Sequence, residues 1–391
     1  MIEFDKAFNI VMNSSFRVGE EVIPFEKSLN RILSEDVISD MDMPPFNKAS
    51  VDGFACRLAD IAAEMQIIET IPAGKWPRNK VGKNQCSRIM TGAAVPEGAD
   101  CVLMVEDTEV LESGSLRFTG ALTKKNIAHK AEDIRKGDIV IRCPKQITPQ
   151  DIAVMATAGH TSVKVSKMPR IAVISSGDEI IEPDKIPGIS QIRNSNSYQL
   201  IAQASRAGVV AAYYGIVKDD AGETFKVISS AIADNDLVII TGGVSMGDFD
   251  FVPGVMERAG VKLLFTKVAV QPGKPTTFGI HPKALVFGLP GNPVSSFVQF
   301  ELLVRPLIYR MMGLDWKPLT ISVPMKEKYT RKTKDRMGLI PVVISPDGLA
   351  EVVEYHGSAH ISALPGATGI IAIPPGSDSI EKGQIVSVRQ I

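Results

Sequence analysis

Cysteine is scarce in this sequence, with four residues in a chain of 391. The cysteines stand at positions 56, 86, 101 and 143, and no two of them form a Cys-x-x-Cys pair. A chain of this length does not need disulfides to hold its core, and closely spaced cysteine pairs are the usual sign of a redox motif or a zinc site. We therefore expect four reduced thiols, buried as small apolar side chains, in a cytoplasmic protein.

An excess of charge of one sign is also missing. The 43 Lys and Arg residues are balanced by 44 Asp and Glu residues, which leaves a formal net charge of -1. Such a chain has no global field that draws it to nucleic acid or to a membrane surface. No apolar run approaches the ~18 residues of a membrane-spanning helix, and no signal peptide pattern is present at the N-terminus. The sequence therefore predicts neither nucleic acid nor membrane as a partner, and an anionic ligand must be held by a local site.

The clearest pattern lies in residues 168–313, where short apolar runs alternate with helical stretches. We expect strands at 170–175, 209–214, 237–241 and 284–288, and helices at 197–207, 223–233, 252–259 and 294–312. Continuously apolar strands that alternate with helices predict a parallel sheet covered on both faces. The fold class is therefore α/β, with a doubly wound, mostly parallel α/β/α sheet domain at residues 167–315.

Three further units are expected around this domain. Short strands between turn signals predict a small β domain over residues 44–136. Helical spacing before and after it, including a second short helix at 26–33, predicts a discontinuous helical linker domain formed by residues 1–43 and 137–166. Only strand patterns follow residue 313, so residues 316–391 are predicted to form a C-terminal β barrel.

Glycine-rich loops follow two of the predicted strands, at residues 241–247 and 288–293. The carboxyl ends of parallel strands meet at one edge of a sheet, where ligands bind. Glycines allow backbone N–H groups to approach an anion, and Pro293 lies near the first turn of a long helix whose positive end would face the same edge. One such loop is most often an ordinary tight turn, but two at one edge favour a site for phosphate or another oxyanion.

Acidic residues are expected at the same edge. Several carboxylates beside a phosphate are unfavourable unless a cation lies between them, and Mg²⁺ binds one or two carboxylates together with substrate phosphates. The alternative is that some of these residues are helix caps or solvated charges. The carboxylates in question are Glu179, Asp219, Asp220, Asp248 and Asp250.

Positive charge is available from Lys267 and Lys274, which are otherwise solvated lysines. The segment 326–336 carries six more basic residues. It is either a solvated hairpin or a surface that steers an anionic substrate.

A series of motifs resembles the MoeA-like molybdopterin molybdenumtransferase family, to which the E domain of gephyrin also belongs. These motifs occupy residues 45–55, 90–100, 175–179, 192–196, 241–250, 272–275 and 288–293. The resemblance implies an Mg²⁺-dependent enzyme of molybdenum cofactor biosynthesis that inserts molybdate into adenylylated molybdopterin and releases AMP. It also implies a homodimer whose cleft is shared between subunits, and a molybdopterin adenylyltransferase as a further partner.

The resemblance also implies roles for individual residues, with Asp52 and Thr91 lining the cleft from the β domain. The implied catalytic residues are Asp52, Glu179, Asp219, Asp250, Lys267 and Lys274. The implied metal ligands are Glu179, Asp219 and Asp250. The residues implied in binding the pterin nucleotide, the phosphates or molybdate are Thr91, Gly243, Ser245, Gln271, Pro290, Asn292, Pro293, Arg336 and Ser358.

The sequence departs from this family at two places. Gln271 stands where the family motif begins with Lys, and residues 128–131 stand where the family has an Arg and a Gly before Glu-Asp. Both changes remove a cation near an anionic substrate, which would weaken molybdate or phosphate binding or suit tungstate. Two alternative functions stay open: a metal-dependent nucleotide pyrophosphohydrolase on the same fold, and a pterin-binding scaffold without activity.

Overall fold

The computed structural model of the chain describes residues 1–244, 251–354 and 357–391. Its α/β domain is built on a six-stranded sheet in which the first four strands are parallel, the fifth runs antiparallel to them, and the sixth pairs antiparallel with the fifth. In spatial order the strands are Ala211–Val217, Ile171–Ser176, Leu237–Thr241, Leu285–Leu289, Thr277–Ile280 and Lys262–Phe265. The predicted mostly parallel sheet is confirmed, while the antiparallel pairing of its last two strands was not predicted.

Helices cover both faces of this sheet. They are Asn196–Arg206, Ala221–Asp234, Val252–Arg258 and a long helix made of Pro293–Gln299, the π-helical turn Phe300–Val304 and Arg305–Met311. Alternate residues of one strand enter different cores: Ile171 and Val173 pack on one side, and Ala172 and Ile174 on the other. Burial on both faces explains why the strand sequences are apolar throughout rather than alternating.

The order of the strands determines where a ligand can bind. From Ile171–Ser176 the chain crosses to Ala211–Val217 on one side, and then returns to Leu237–Thr241 on the other side. The connections therefore diverge at the carboxyl end of Ile171–Ser176. Open α/β sheets bind their ligands in the crevice at such a point.

The N-terminal unit contains two helices and more β structure than its sequence indicated. Helix Phe4–Asn13 buries Ala7 and Val11 against the core of the α/β domain. Helix Pro149–Thr157 begins with a capping box in which Thr148 and Asp151 each accept a hydrogen bond from the other's backbone N–H. The strands are Glu20–Pro24, Ser162–Ser166, Ile32–Leu33 and Lys145–Gln146 in one sheet, and Val37–Ile38 with Ile139–Ile141 in a second.

The predicted second helix at residues 26–33 is wrong. Only the 3-10 turn Phe25–Lys27 forms, and Ile32–Leu33 is a strand whose Leu33 pairs with Val165 from far along the chain. Long-range pairing thus overrides the local helical pattern.

The small β domain has a six-stranded sheet, as its short strand signals predicted. Its strands, in spatial order, are Cys101–Met104, Gly53–Cys56, Gln85–Ile89, Met65–Ile71, Ser115–Phe118 and Thr108–Val110. A separate pair, Lys48–Ala49 and Ile127–Ala128, closes one end, and the 3-10 turns Leu58–Asp60 and Val105–Asp107 connect strands.

The C-terminal β domain is a small barrel around its own apolar core. A bridge between Met325 and Ala350 joins its two outer strands and closes the sheet. Arg389, on the last strand, donates a 2.5 Å hydrogen bond to the carbonyl of Glu301 and so ties the barrel to the long helix of the α/β domain. The strands are Ala350–Val352, Met337–Ile344, Gly369–Ile373, Ile385–Gln390 and Thr320–Pro324, with Val270–Gln271 also paired to Met337–Ile344 and with Tyr329–Thr330 paired to Ser379–Ile380.

Two remaining strands, Ile180–Ile181 and Ile192–Arg193, pair with each other beside the sheet of the α/β domain, and a 3-10 turn spans Ile361–Gly366. Among residues 1–244, 251–354 and 357–391, the helices all lack the length and apolarity needed to cross a membrane.

Candidate active site

A cavity of about 710 Å³ opens at the carboxyl ends of Ile171–Ser176 and Leu237–Thr241. Its position is the one that the divergence of the strand connections predicts. Six of the residues implied by the resemblance line this cavity: Glu179, Asp219, Gly243, Pro290, Asn292 and Pro293. These residues follow four different strands, Ile171–Ser176, Ala211–Val217, Leu237–Thr241 and Leu285–Leu289, so the fold brings distant parts of the sequence to one place.

The floor of the cavity is held by Asn196, at the start of helix Asn196–Arg206. Its Nδ2 donates to the Thr241 hydroxyl at 2.9 Å and to the Gly291 carbonyl at 2.8 Å. The Thr241 hydroxyl in turn donates to the Pro290 carbonyl at 3.1 Å. One buried amide therefore joins the two glycine-containing loops that the sequence predicted to form an anion site.

A second buried network lies beside it. Ser175 donates to Asn194 Oδ1 at 3.0 Å, and the backbone N–H of Ser197 donates to the same oxygen at 3.2 Å. Asn194 Nδ2 donates to the hydroxyl of Tyr213 at 2.9 Å, and that hydroxyl donates to Glu182 at 2.7 Å. Burial, together with the hydrogen bond to Glu182, raises the pKa of Tyr213. The network links the end of Ile171–Ser176 to the first turn of the following helix.

The first glycine loop depends on Gly242. This residue has φ of +96°, a backbone conformation that other residues rarely adopt, and a Cβ there would collide with the carbonyl of Ser176. Its N–H donates to the carbonyl of Leu289 at 3.2 Å, which brings the loop against the neighbouring strand end. The close approach of two backbones explains why glycine occupies this position.

The second loop leads into the long helix, and the C-terminal domain completes its first turn. Pro293 is the first helical residue, as predicted, and the N–H of Val294 donates to the carbonyl of Ser358 at 3.1 Å. Asn292 Nδ2 donates to the Ser358 hydroxyl at 2.8 Å. Ser358 and Asn292, 66 residues apart in sequence, therefore meet at the edge of the cavity.

The rim of the cavity carries exposed charges. The side chain of Asp219 lies 3.3 Å from the Ser176 hydroxyl and 3.4 Å from the backbone nitrogen of Asp178, and both groups donate to it. Glu179 is exposed, and its carboxylate forms no ion pair within the part of the chain that the structure describes. Asp220 caps helix Ala221–Asp234 by accepting from the N–H of Glu223 at 2.7 Å. The helix-cap interpretation therefore holds for Asp220.

Lys267 and Lys274 stand at the two ends of one loop. The N–H of Val268 donates to the carbonyl of Lys274 at 3.0 Å, so the backbones of the two lysine segments lie side by side. Neither ammonium group forms an ion pair with any residue in the described ranges. Pro275, next to Lys274, lines the cavity.

Gln271 and Arg336 lie where the C-terminal domain meets this loop. Thr333 donates its hydroxyl to the side-chain oxygen of Gln271. The guanidinium of Arg336 is 3.5 Å from its neighbour Asp335, and its Nε is buried without a hydrogen-bond partner among the described residues. Neither Gln271 nor Arg336 lines the cavity itself.

Asp52 and Thr91 form a pair on the surface of the small β domain. The backbone N–H of Thr91 donates to Asp52 Oδ1 at 2.6 Å, and the Thr91 hydroxyl donates to the same oxygen at 2.8 Å. These two hydrogen bonds, the backbone one first, lower the pKa of Asp52 below its ordinary value of 3.8. The structure thus brings together two predicted residues that are 39 positions apart, but not at the cavity of the α/β domain.

The second departure from the family has a visible backbone consequence. Ala131, in the segment 128–131 where the resemblance implies an Arg and a Gly, adopts φ of +60° and donates its N–H to the carbonyl of Pro44 at 3.0 Å. The left-handed conformation costs a residue with a Cβ of the order of 1 kcal/mol relative to Gly. Lys130, in the same turn, keeps a cation there and lies 3.3 Å from Asp42.

Two of the predicted site residues, Ser245 and Asp250, lie outside the described residues, as does Asp248. Within the described ranges, no three His, Cys, Asp or Glu side chains group closely enough to hold a metal ion by themselves. The oxygen donors of Glu179 and Asp219 still fit Mg²⁺, because this ion commonly takes one or two carboxylates and obtains its other ligands from substrate phosphates and water.

Sequence reasoning did not assign Asn196 and Arg193 to the site, yet both line the cavity. Asn196 is buried, and its Oδ1 has no hydrogen-bond partner among the described residues, so one acceptor remains there for a ligand or water. Arg193 is exposed and contributes positive charge to the lining. The sequence did contain a signal for both residues, because they belong to the motif at 192–196, one of those on which the resemblance rests.

Comparisons with known proteins assign the chain to a family. Residues 2–159 match the MoeA N-terminal region (domain I and II), residues 172–310 a probable molybdopterin binding domain, and residues 323–391 the MoeA C-terminal region (domain IV). The chain is 34% identical to the molybdopterin molybdenumtransferase of Staphylococcus aureus strain Mu50, over 99% of its own length and 95% of that protein. The Staphylococcus epidermidis enzyme of the same name is also 34% identical, with the same coverage.

Solved structures agree. The fold superposes on a molybdopterin biosynthesis MoeA protein from Pyrococcus horikoshii with a TM-score of 0.83 at 31% identity, covering 100% of this chain and 99% of that one. A second structure of the P. horikoshii protein gives a TM-score of 0.86 at 26% identity, covering 100% of both chains. The chain therefore belongs to the molybdopterin molybdenumtransferase family.

Proposed function

We propose that this protein catalyses the last step of molybdenum cofactor assembly, the insertion of molybdate into adenylylated molybdopterin. In this reaction both dithiolene sulfurs bond to molybdenum while one molybdate oxygen leaves with the two thiol protons as water. One water is consumed as the phosphoanhydride bond of the adenylylated substrate breaks and AMP leaves. The observation that carries the proposal is the cavity at the strand ends, where two loops joined by Asn196 meet exposed carboxylates. Membership of the family, over nearly the full chain, supports the same reaction.

The floor and the rim have different tasks in this proposal. The loops at Gly243 and Pro290–Pro293 hold the pterin nucleotide, with the positive end of the long helix facing its phosphates. Asn196 keeps these loops in place before substrate arrives, so little of the binding free energy is lost to ordering them. Lys267 and Lys274 stabilise the charge that develops as the phosphoanhydride breaks, which is the main source of rate in phosphoryl chemistry.

Glu179 and Asp219 are the described residues that would hold Mg²⁺, with Asp250 as the third candidate. When bound, this ion supplies charge neutralisation between the carboxylates and the pyrophosphate. The donor chemistry supports this role, because both carboxylates line the cavity and neither is neutralised by an ion pair within the described ranges.

The Asp52–Thr91 pair supports the proposal of a homodimer with a shared cleft. In one chain the pair is exposed and lies away from the cavity. A second copy that places its small β domain over the α/β domain would give this polar pair a ligand to contact. Free thiols at Cys56, Cys86, Cys101 and Cys143 fit the proposed cytoplasmic location, and a molybdopterin adenylyltransferase is the class of enzyme that must supply the substrate.

One assay tests the proposed function against the alternatives. The purified protein is mixed with adenylylated molybdopterin and Mg²⁺, with and without molybdate, and AMP is followed. Release of AMP that depends on molybdate is the expected result. Hydrolysis without molybdate would instead indicate the pyrophosphohydrolase, and binding without release would indicate a scaffold. The full-length family match does not favour either alternative.

A further inference from the structure

The basic segment 326–336 divides into two sets of side chains. Lys326 and Lys328 form ion pairs within the barrel, with Glu351 and Glu381, each at 2.7 Å. Lys332 and Lys334 are exposed, and neither forms an ion pair with any residue in the part of the chain that the structure describes. The positive charge of the second set is therefore not used to hold the barrel together.

The turn that carries Lys332 and Lys334 is firmly positioned. Arg331, just before it, donates to the carbonyls of Pro374 at 2.9 Å, Ser377 at 2.7 Å and Arg336 at 2.7 Å. One of these carbonyls, that of Arg336, lies at the far end of the turn, and the other two belong to a neighbouring loop, so the guanidinium fixes the turn against the barrel.

The same turn lies directly against the loop that leads to the cavity. Thr333, between the two lysines, donates to the side-chain oxygen of Gln271. Strand Val270–Gln271 runs parallel to Met337–Ile344, and the N–H of Met337 donates to the carbonyl of Ala269 at 2.9 Å. Both lysines are therefore one residue away from the contact with Gln271.

The loop of Gln271 is itself anchored at the site. Buried Gln299, on the long helix, donates to the carbonyl of Pro272 at 3.3 Å, and Thr276 donates to the carbonyl of Gly273 at 2.7 Å. Four residues after Gln271, Pro275 lines the cavity. The loop that contacts the lysine turn through Gln271 thus continues through Lys274 into the lining of the cavity at Pro275.

We propose that Lys332 and Lys334 supply, beside Gln271, the positive charge that this position lacks, and that they bind a tetrahedral oxyanion there. The oxyanion is either free molybdate or the pyrophosphate of the adenylylated substrate, so the inference rests on the proposed function and adds binding residues to it. Arg336 is a weaker source of charge, because Asp335 lies 3.5 Å from its guanidinium.

Titration of molybdate alone and of inorganic pyrophosphate alone, each by calorimetry, tests the inference. The double variant Lys332→Gln, Lys334→Gln should bind at least one of the two anions about five- to tenfold more weakly at low salt, with a smaller difference at high salt, because exposed charges are screened. The matched control is Lys328→Gln, from the same segment, whose ammonium binds Glu381. It should leave both affinities unchanged.

Adding Gln271→Lys to the double variant should restore the lost affinity, which a merely structural role of the two lysines does not predict. Weaker binding of molybdate by the double variant identifies the metal oxyanion as the ligand. Weaker binding of pyrophosphate identifies the substrate phosphates. Unchanged affinity for both anions in a folded double variant, or an equal loss in Lys328→Gln, would overturn the inference. AMP release by the wild-type protein is measured separately, so failure of the proposed function is distinguishable from failure of this inference.

Discussion

The floor and the rim of the cavity differ in almost every physical respect. The floor consists of buried neutral groups such as Asn196 and Thr241, which bind each other and the backbone of two loops. The rim consists of exposed charges such as Glu179 and Asp219, with exposed Lys274 next to the lining residue Pro275. Within the described ranges none of these three charged groups has an ion-pair partner.

This difference separates stability from function. A buried polar group must find its hydrogen bonds inside the protein, so the floor is determined by folding and contributes to the free energy of unfolding. An exposed charge is solvated whether the chain is folded or not, and contributes little to stability. We therefore expect floor variants to change stability first, and rim variants to change activity alone.

The largest expected effect is the loss of AMP release when a charge on the rim is removed. Asp219→Asn keeps the shape of the side chain but removes the negative charge that we propose to hold Mg²⁺ beside the pyrophosphate. The rate of AMP release should fall by about 10²–10³-fold, the usual cost of losing one electrostatic contact to a transition state, while the unfolding midpoint stays unchanged. The matched control is Asp220→Asn, because Asn caps a helix as well as Asp and Asp220 is engaged with Glu223. An Asp219→Asn protein that releases AMP at the wild-type rate would remove Asp219 from the proposed site.

The next largest effect is the loss of stability when a hydrogen bond in the floor is removed. Asn196→Ala deletes two hydrogen bonds and leaves the carbonyl of Gly291 without this donor. We expect the free energy of unfolding of the α/β domain to fall by about 1–3 kcal/mol, measured by urea unfolding. Ser195→Ala, at an exposed neighbour without a capping hydrogen bond, should change it by less than about 0.5 kcal/mol. Equal midpoints for the two variants would contradict the division between floor and rim.

The smallest effect concerns the pKa of Asp52, which forms a polar pair with Thr91 on the small β domain. Since its hydrogen bonds lower the pKa of Asp52, they stabilise the folded state above pH 3.8, and this contribution is lost as the pH falls through the lowered pKa. Thr91→Val removes the hydroxyl donor but keeps the backbone N–H, which is the larger cause. The pKa of Asp52, followed by carboxyl NMR, should therefore rise part of the way towards 3.8. Thr108→Val, whose hydroxyl binds the carbonyl of Val105, should leave it unchanged.

Much of the architecture was predictable because it follows from local pattern. The strands Ile171–Ser176 and Leu237–Thr241 are apolar over their full length, and only a sheet buried on both faces requires that. Pro293 at the first turn of its helix was predictable for the same reason, since proline suits that position. The antiparallel direction of strand Thr277–Ile280 was not predictable, because a pattern of buried residues does not show which way a strand runs.

The candidate site was predictable only in part. Glycine and acidic residues at strand ends indicated where a ligand would bind. They did not indicate which carboxylate is available to a ligand and which one caps a helix. Asp219 and Asp220 are adjacent in sequence, yet one lines the cavity and the other caps a helix. Only the direction in which each side chain leaves the backbone distinguishes them.

The sequence by itself therefore determined the doubly wound sheet and the edge of that sheet at which a ligand binds. Through its motifs it also determined the family. The tertiary structure alone decided which distant residues meet: Asn196 with Gly291, Asn292 with Ser358, and Thr333 with Gln271. The physical reason is the range of the interactions. Apolar burial leaves a periodic pattern in the sequence, whereas a hydrogen bond between residues more than 60 positions apart leaves none until the chain has folded.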